Sequence, residues 1–82
     1  MIAIYALGIA RAHMEPRVDI EATNGMTLRD VLEKIPAPVR VMAQRKELTV
    51  ILNGTDASAL NGFDTILTDG DEIYILPLTH GG

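Results

Sequence analysis

Apolar residues concentrate in a short stretch near each end of the chain. Residues 1–12 read MIAIYALGIARA and are apolar at both alternating sets of positions, which is typical of a strand buried on two faces. Residues 72–77, EIYILP, repeat that pattern. In residues 18–22, VDIEA, apolar side chains instead alternate with acidic ones. This pattern predicts a strand with one solvent-exposed face. Two central strands and one neighbouring strand are therefore expected.

The strongest local signal is an amphipathic helix over residues 28–35. Thr27 precedes it and can accept the amide of Asp30, while the Asp30 carboxylate reaches back as a shortened capping box. Pro36 and Pro38 end the helix. The apolar stripe has i, i+3, i+4, i+7 spacing and consists of Leu28, Val31, Leu32 and Ile35.

The second half of the chain predicts another strand between turns. Residues 39–46 fit either a short second helical turn or a loop that lays Val41 and Met42 on the core. Residues 48–52, LTVIL, form a strand that an Asn-Gly turn pair stops. Residues 56–62 hold at most a very short strand or an irregular loop.

These elements predict an α+β fold in which a mixed sheet carries one main helix packed across it. The short connection between the first two strands makes them an antiparallel hairpin. If the end strands pair in the sheet centre they run parallel, because the helical crossover has brought the chain back. This is the β-grasp arrangement. Its expected core comprises Ile4, Ile20, Leu28, Val31, Leu32, Ile35, Val50 and Ile75.

Composition narrows the classes of function. A chain of 82 residues forms one small domain, and the absence of cysteine excludes disulfides, thiolate metal sites and a cysteine nucleophile. The net charge of −4 argues against a nucleic-acid partner. The longest apolar run is too short to span a bilayer and has no basic segment before it. A soluble, cytoplasmic protein without a membrane partner is expected.

Candidate catalytic groups are few. The two histidines and scattered carboxylates form no recognisable triad, and His13 is expected to be a solvated turn residue. The carboxylates between Asp64 and Glu72 lack the spacing of a calcium loop, so we expect solvated turns and no metal site. These observations predict a protein that is not itself an enzyme.

The chain stops in two glycines directly after the last strand. Glycine has no Cβ, so such a segment can thread a narrow channel toward another protein's active site, where its carboxylate would meet ATP. A frayed terminus is the alternative interpretation. We predict a folded domain over residues 1–78 and a flexible di-glycine tail over residues 79–82, within the terminal sequence Leu78-Thr79-His80-Gly81-Gly82.

Several motifs follow one another along the chain, namely MTLRDVL at 26–32, LNG at 52–54, LNGFDT at 60–65, LTDGDE at 67–72, Pro77 and the final Gly81-Gly82. This ordered set resembles the MoaD/ThiS family of ubiquitin-like sulfur carriers. The chain departs from the family pattern at Leu78, where a second proline is usual, and at His80, where a small residue is usual.

The resemblance implies a specific chemistry at Gly82. An activating enzyme related to ubiquitin E1, of the MoeB/ThiF type, would use ATP and Mg²⁺ to adenylate the Gly82 carboxylate. A sulfur donor such as a cysteine desulfurase or rhodanese would then produce a thiocarboxylate. The chain itself would bind no cofactor. Its length, with the insertion at 37–46, favours the MoaD-like branch, which delivers sulfur to the molybdopterin synthase large subunit.

Other acceptors and another class of function stay open. ThiS-like relatives serve thiazole synthase in thiamine synthesis, and others supply tRNA thiolation or modify lysines. A plain β-grasp interaction module would need no activation. The resemblance places partner binding on the sheet face away from the helix, with Phe63 as either a contact or a core residue. Around the tail, the expected partner-binding residues are Pro77, Leu78, Thr79, His80 and Gly81.

Overall fold

Five strands form one mixed sheet, and two helices pack across one of its faces. The computed structural model describes residues 1–77. The elements in chain order are β1 (Ile2–Ala6), β2 (Arg17–Ile20), α1 (Leu28–Leu32), α2 (Ala37–Gln44), β3 (Leu48–Leu52), β4 (Thr55–Asp56) and β5 (Glu72–Pro77). No helix among these is long and apolar enough to cross a membrane.

The strand order is β2-β1-β5-β3-β4. β1 and β5 pair in parallel in the interior of the sheet, with Ile4 opposite Ile73. β2 is antiparallel to β1, and β3 is antiparallel to β5. The parallel pair of end strands, the initial hairpin and the helical crossover confirm the predicted β-grasp arrangement.

The core lies between the helices and the alternate strand positions that face them. β3 shows the pattern clearly, because Leu48, Val50 and Leu52 are buried while the residues between them are half-buried. All eight residues expected in the core are buried, namely Ile4, Ile20, Leu28, Val31, Leu32, Ile35, Val50 and Ile75. This apolar interior is the chief source of stability for a domain of this size.

The predicted capping box is present at the start of α1. The Asp30 amide donates to Thr27 Oγ1 at 3.3 Å, and the Thr27 amide donates to Asp30 Oδ2 at 2.9 Å. These bonds satisfy amides that have no partner within the helix. α1 ends at Leu32, earlier than predicted, and Ile35 enters the core from the turn before Pro36.

The ambiguous segment after Pro36 is helical. α2 begins at Ala37 with Pro36 as its N-cap. Pro38, expected to end a helix, instead lies in the first turn of α2, where a proline is tolerated because the first amides of a helix need no internal partner. Val39 and Ala43, one turn apart, are buried against the core. Met42 packs beside them, whereas Val41 points to solvent and is 41% exposed. The helical alternative was therefore right, but only one of the two residues expected on the core lies there.

The prediction of a single strand over residues 1–12 was wrong. β1 ends at Ala6, and residues Gly8–Ala12 form a short 3₁₀ turn. Gly8 has a φ of +59°, a left-handed conformation that ends the strand. The turn buries Ala10 and leaves Ile9 exposed. The apolar run thus serves two elements, which the alternation pattern does not distinguish.

Hydrogen bonds of the Asn53 side chain connect the β3–β4 turn to the start of β5. The φ of +51° at Asn53 and the φ of +86° at Gly54 form the tight reversal that the Asn-Gly pair predicts. The Asn53 side-chain amide donates to Asp71 Oδ1 at 2.9 Å, and its Oδ1 accepts the Glu72 amide at 2.9 Å. The segment after this turn contains the two-residue β4 and two 3₁₀ turns, Ala57–Ala59 and Gly62–Asp64.

Replacing Gly8 by alanine should destabilise the domain more than replacing Gly62. Both glycines have nearly the same left-handed φ, +59° and +57°, but a Cβ at Gly8 would lie 2.4 Å from Pro77 Cγ whereas one at Gly62 meets nothing within 4 Å. Gly62→Ala should cost about 1–2 kcal/mol from backbone strain, and Gly8→Ala about 1–3 kcal/mol more from overpacking. Urea denaturation measures both. Equal losses would contradict the packing of the 3₁₀ turn on Pro77.

The capping box should make stability depend on acid pH. The Thr27 amide lowers the pKa of Asp30 below its ordinary value of 3.8. The charged carboxylate therefore stabilises the fold fully above the unfolded pKa, and this contribution disappears as the pH falls through the depressed folded pKa. The stability difference between wild type and Asp30→Asn should be constant near neutral pH and shrink below about pH 4. A difference that does not change with pH in urea titrations would contradict this assignment.

Candidate functional site

The sheet face opposite the helices carries apolar and aromatic side chains. We call it the open face and define it by Tyr5, Thr49, Ile51, Tyr74 and Leu76, all of them half-buried. The strand registers place Tyr5 beside Tyr74 and Tyr74 beside Ile51, so the three side chains form a row across three strands. The interpretation of β1 and β5 as buried on both faces was therefore only half right, because described residues cover one face alone.

Two tyrosines and an arginine organise the middle of the open face. The rings of Tyr5 and Tyr74 stack with centroids 4.7 Å apart and an angle of 15° between planes. The Arg17 guanidinium lies 5.3 Å from the centre of the Tyr5 ring, a cation–π arrangement. Arg17 Nε also donates to Asp19 Oδ1 at 3.2 Å, and this bond raises the pKa of the arginine. The middle of the open face therefore holds an aromatic pair with an ion-paired arginine at its edge.

The end of β5 is held by the 3₁₀ turn that follows β1. The Leu7 amide donates to the Ile75 carbonyl at 2.8 Å, which extends the parallel pairing by one residue. Gly8 packs directly against the Pro77 ring, because a Cβ added at Gly8 would overlap with that ring. Leu7 and Ile9 are 41% and 54% exposed on this turn. The last described residue, Pro77, thus packs against a turn that also exposes two large apolar side chains.

The remaining predicted tail residues lie outside the described part of the chain. These are Leu78, Thr79, His80, Gly81 and Gly82, and with them the predicted boundary between domain and tail. Pro77 is described and is the half-buried last residue of β5. Its role in partner binding stays a prediction.

Phe63 lies away from the open face. It belongs to the 3₁₀ turn Gly62–Asp64 and packs, half-buried, against the core. With Ala43 of α2 and Leu48 of β3 it lines a groove of about 540 Å³ beside the sheet edge. The structure thus gives Phe63 a packing role, and any contact with a partner would be made from this groove.

The acidic turn residues are used within the fold. Asp71 accepts the Thr68 amide at 2.8 Å and the Asn53 side chain. Asp64 forms an ion pair with Arg29 of α1. Among residues 1–77, no three His, Asp or Glu side chains lie together in an arrangement that would hold a metal ion.

Sequence reasoning missed the aromatic row on the open face. Tyr5 and Tyr74 were counted only as apolar positions in central strands, although a tyrosine needs access to water or a hydrogen-bond partner for its hydroxyl. Because the end strands pair in parallel, residues that lie side by side on the two strands also point to the same face of the sheet. Which residues meet depends on the register, which the pattern alone does not specify.

The model of the ThiS family matches residues 7–82, nearly the whole chain and including Gly82. The chain belongs to the ThiS family. These are ubiquitin-like sulfur carriers, small proteins that are not catalysts themselves. The resemblance to the MoaD/ThiS family is thereby confirmed. No curated protein matches the chain.

Solved structures share the fold of this ThiS-family chain. Urm1 from Trypanosoma brucei is 20% identical with a TM-score of 0.76, covering 99% of this chain and 94% of its own. Molybdopterin converting factor subunit 1 from Pyrococcus furiosus is 19% identical with a TM-score of 0.72, covering 95% and 97%. Small archaeal modifier protein 1 from Methanosarcina acetivorans is 26% identical with a TM-score of 0.71, covering 99% and 95%.

The stacked tyrosines should stabilise each other in this ThiS-family domain. Tyr5→Ala, Tyr74→Ala and the double variant form a double-mutant cycle, and we expect a coupling energy of about 0.5–1.5 kcal/mol from the ring contact. Urea denaturation gives the three free energies of unfolding. Thr49→Ala paired with Tyr5→Ala is the control, since these residues lie on strands separated by β5. A tyrosine coupling no larger than the control would contradict the stacked geometry.

Proposed function

We propose that this chain carries sulfur as a thiocarboxylate on Gly82. The observation that carries the proposal is the family match, which extends through Gly82. The ordered sheet ends at Pro77, and five residues follow it. Fully extended, five residues span at most about 17 Å. That reach suits delivery of Gly82 into a neighbouring enzyme while the folded domain stays at its surface.

The chemistry needs an activating enzyme. A free carboxylate resists attack by sulfur, so an E1-like enzyme would use ATP with Mg²⁺ to join the Gly82 carboxylate to AMP, releasing pyrophosphate. A sulfur donor at the oxidation level of hydrosulfide then attacks the acyl carbon and displaces AMP. The carbon keeps its oxidation state, and Gly82 ends as a thiocarboxylate. ATP and Mg²⁺ belong to the activating enzyme in this scheme.

The open face is the surface we assign to that enzyme. Aromatic and aliphatic side chains concentrated on one exposed sheet face favour burial by another protein. Ile51, Tyr74 and Leu76 carry this apolar surface toward the end of β5, where the sequence continues toward Gly82. A chain of the Amycolatopsis orientalis BexX/CysO complex is 23% identical to this protein and matches over its full length, with a TM-score of 0.68. That complex supports a carrier that works bound to a second protein.

The favoured sulfur acceptor is the large subunit of molybdopterin synthase. The Pyrococcus furiosus converting factor supports this branch by its fold and by 97% coverage of its length. Thiazole synthase and tRNA thiolation are the alternative destinations. The donor would be a cysteine desulfurase or rhodanese that carries the sulfur as a persulfide. A thiol would reduce that persulfide to the hydrosulfide level, with a disulfide as the by-product, and all these steps would take place in the cytoplasm.

A protein modifier is the second candidate. The similarity to small archaeal modifier protein 1, at 26% identity, favours it specifically. The same Gly82 adenylate would then react with a lysine amine of a target protein and form an isopeptide bond, again with loss of AMP. The two functions therefore share activation and differ in the nucleophile.

Mass spectrometry of protein purified from its native cells tests the proposal. We expect a fraction of the chain to carry one sulfur in place of one oxygen at Gly82. Methionine oxidation causes nearly the same mass change, but the four methionines are Met1, Met14, Met26 and Met42, so a fragment that begins after Met42 avoids it. A chain lacking Gly82 is the control and should not acquire the modification. Unmodified Gly82 together with isopeptide-linked fragments of this chain that end in Gly82 on lysines of other proteins would favour the modifier. Trypsin would leave residues 47–82 as that fragment, because Lys46 is the last lysine or arginine of the chain. Neither mark in growing cells would contradict both functions.

A further inference from the structure

Charged residues are distributed unevenly between the two ends of the sheet. We define the exit end as the end where β5 finishes at Pro77 and β3 begins at Leu48, paired with each other. At the opposite end β5 begins at Glu72, which pairs with Ala3. The chain as a whole has seven basic and eleven acidic residues. A positive region can therefore exist only where the fold brings basic residues together.

The exit end is positive although the protein is negative. The exit end comprises segments 6–17, 44–49 and 76–77. These segments contain only two acidic residues, Glu15 and Glu47. The opposite end, segments 1–3, 19–24, 52–55 and 68–73, has no lysine or arginine in its sequence. The basic residues of the exit end are Arg11, Arg17, Arg45 and Lys46. The acidic residues of the opposite end are Asp19, Glu21, Asp69, Asp71 and Glu72.

The basic residues surround the place where the chain leaves β5. Arg11 is exposed on the 3₁₀ turn that packs on Pro77. Lys46 is exposed in the turn between α2 and β3, with a φ of +62°. Arg17 borders the open face above Tyr5, where its ion pair with Asp19 and the nearby Glu72 carboxylate offset part of its charge. Arg45 pairs with Glu47 at 3.3 Å in an exposed contact that leaves its charge open to a partner. Together they form a basic rim around an apolar centre.

We infer that the basic rim docks on an acidic surface of the enzyme that activates Gly82. This inference rests on the function proposed above and adds the chemistry of the partner. An apolar centre with complementary charges at its rim is the usual anatomy of a protein interface. Opposite charges at the two ends of the sheet also orient the approaching domain, since an acidic partner attracts the exit end and repels the other. The charge polarity thus turns the exit end, where β5 finishes, toward the enzyme.

Charge reversals at matched positions test the inference. The probe is the E1-like adenylating enzyme purified from the same cells, and the measurements are its affinity for the chain and its ATP–pyrophosphate exchange. Arg11→Glu and Lys46→Glu each change the net charge by two, as does the control Lys34→Glu. Lys34 follows α1 and lines a shallow groove with Thr23 and Asp30, away from the exit end.

Reversal at the rim should weaken binding about three- to tenfold and flatten its dependence on salt. The maximal rate of exchange should stay unchanged, because the rim contacts no reacting atom, so the loss should appear in KM. Lys34→Glu should change affinity less than twofold. Circular dichroism shows whether each variant is folded. If one is not, Arg11→Gln or Lys46→Gln, which remove the charge without reversing it, should give a smaller loss of the same kind.

Failure of this inference and failure of the proposed function look different. If the wild-type chain supports exchange but the rim variants behave like Lys34→Glu, the acidic docking surface is wrong and the carrier function stands. If the wild-type chain supports no exchange, the activation of Gly82 is wrong, and the inference that rests on it falls too. A loss of affinity confined to the rim variants supports both the acidic docking surface and the carrier function.

Discussion

The parallel pairing of β1 with β5 is the constraint on which the rest of this structure depends. Parallel neighbours cannot be joined by a tight turn, so every residue between Ala6 and Glu72 belongs to the connection that returns the chain. That connection supplies β2 and β3 as antiparallel flanks and both helices as a cover for one face. The pairing also brings the turn after β1 against the end of β5. The site is therefore defined by the same contact that defines the fold.

One layer of helices covers only one face of a sheet. On β5, Ile73 and Ile75 face the helices and are fully buried, whereas Tyr74 and Leu76 alternate with them and stay half-buried. Strands with apolar residues at both sets of positions normally lie between two layers. Here the second layer is missing from the described chain, although the side chains suit one. This mismatch between sequence pattern and burial is the physical basis for treating the open face as a binding surface.

Short-range signals predicted the fold well. The capping box between Thr27 and Asp30 involves residues three apart, and the bounds of β3 and β5 follow from turn residues directly beside them. The end of β1 could not be predicted this way, because Gly8 takes its left-handed φ next to Pro77, a residue distant in sequence. The helical nature of α2 depended likewise on the core that Val39 and Ala43 help to build. Long-range packing decided each of these cases.

The candidate site divides in the same way. The chemistry predicted for the di-glycine end rests on a family motif in the sequence, lies outside the described residues and stays a prediction. The aromatic row was not predictable, since Tyr5, Ile51 and Tyr74 come from three strands whose register is a property of the folded sheet. Phe63 was expected to be either a partner contact or a core residue, and it packs half-buried on the core.

A small carrier must fold alone and still keep apolar surface for a partner. About 60% of the unfolded surface is hidden in a domain near this size, so side chains left on the open face are withheld from the core. The fold limits this loss by pairing them with each other, as Tyr5 and Tyr74 do at 4.7 Å. The 3₁₀ turn on Pro77 adds packing at the point where β5 ends. The contact of Gly8 with Pro77 thus stabilises the domain at the place where the sequence continues toward Gly82, so a change at either residue also changes the fold.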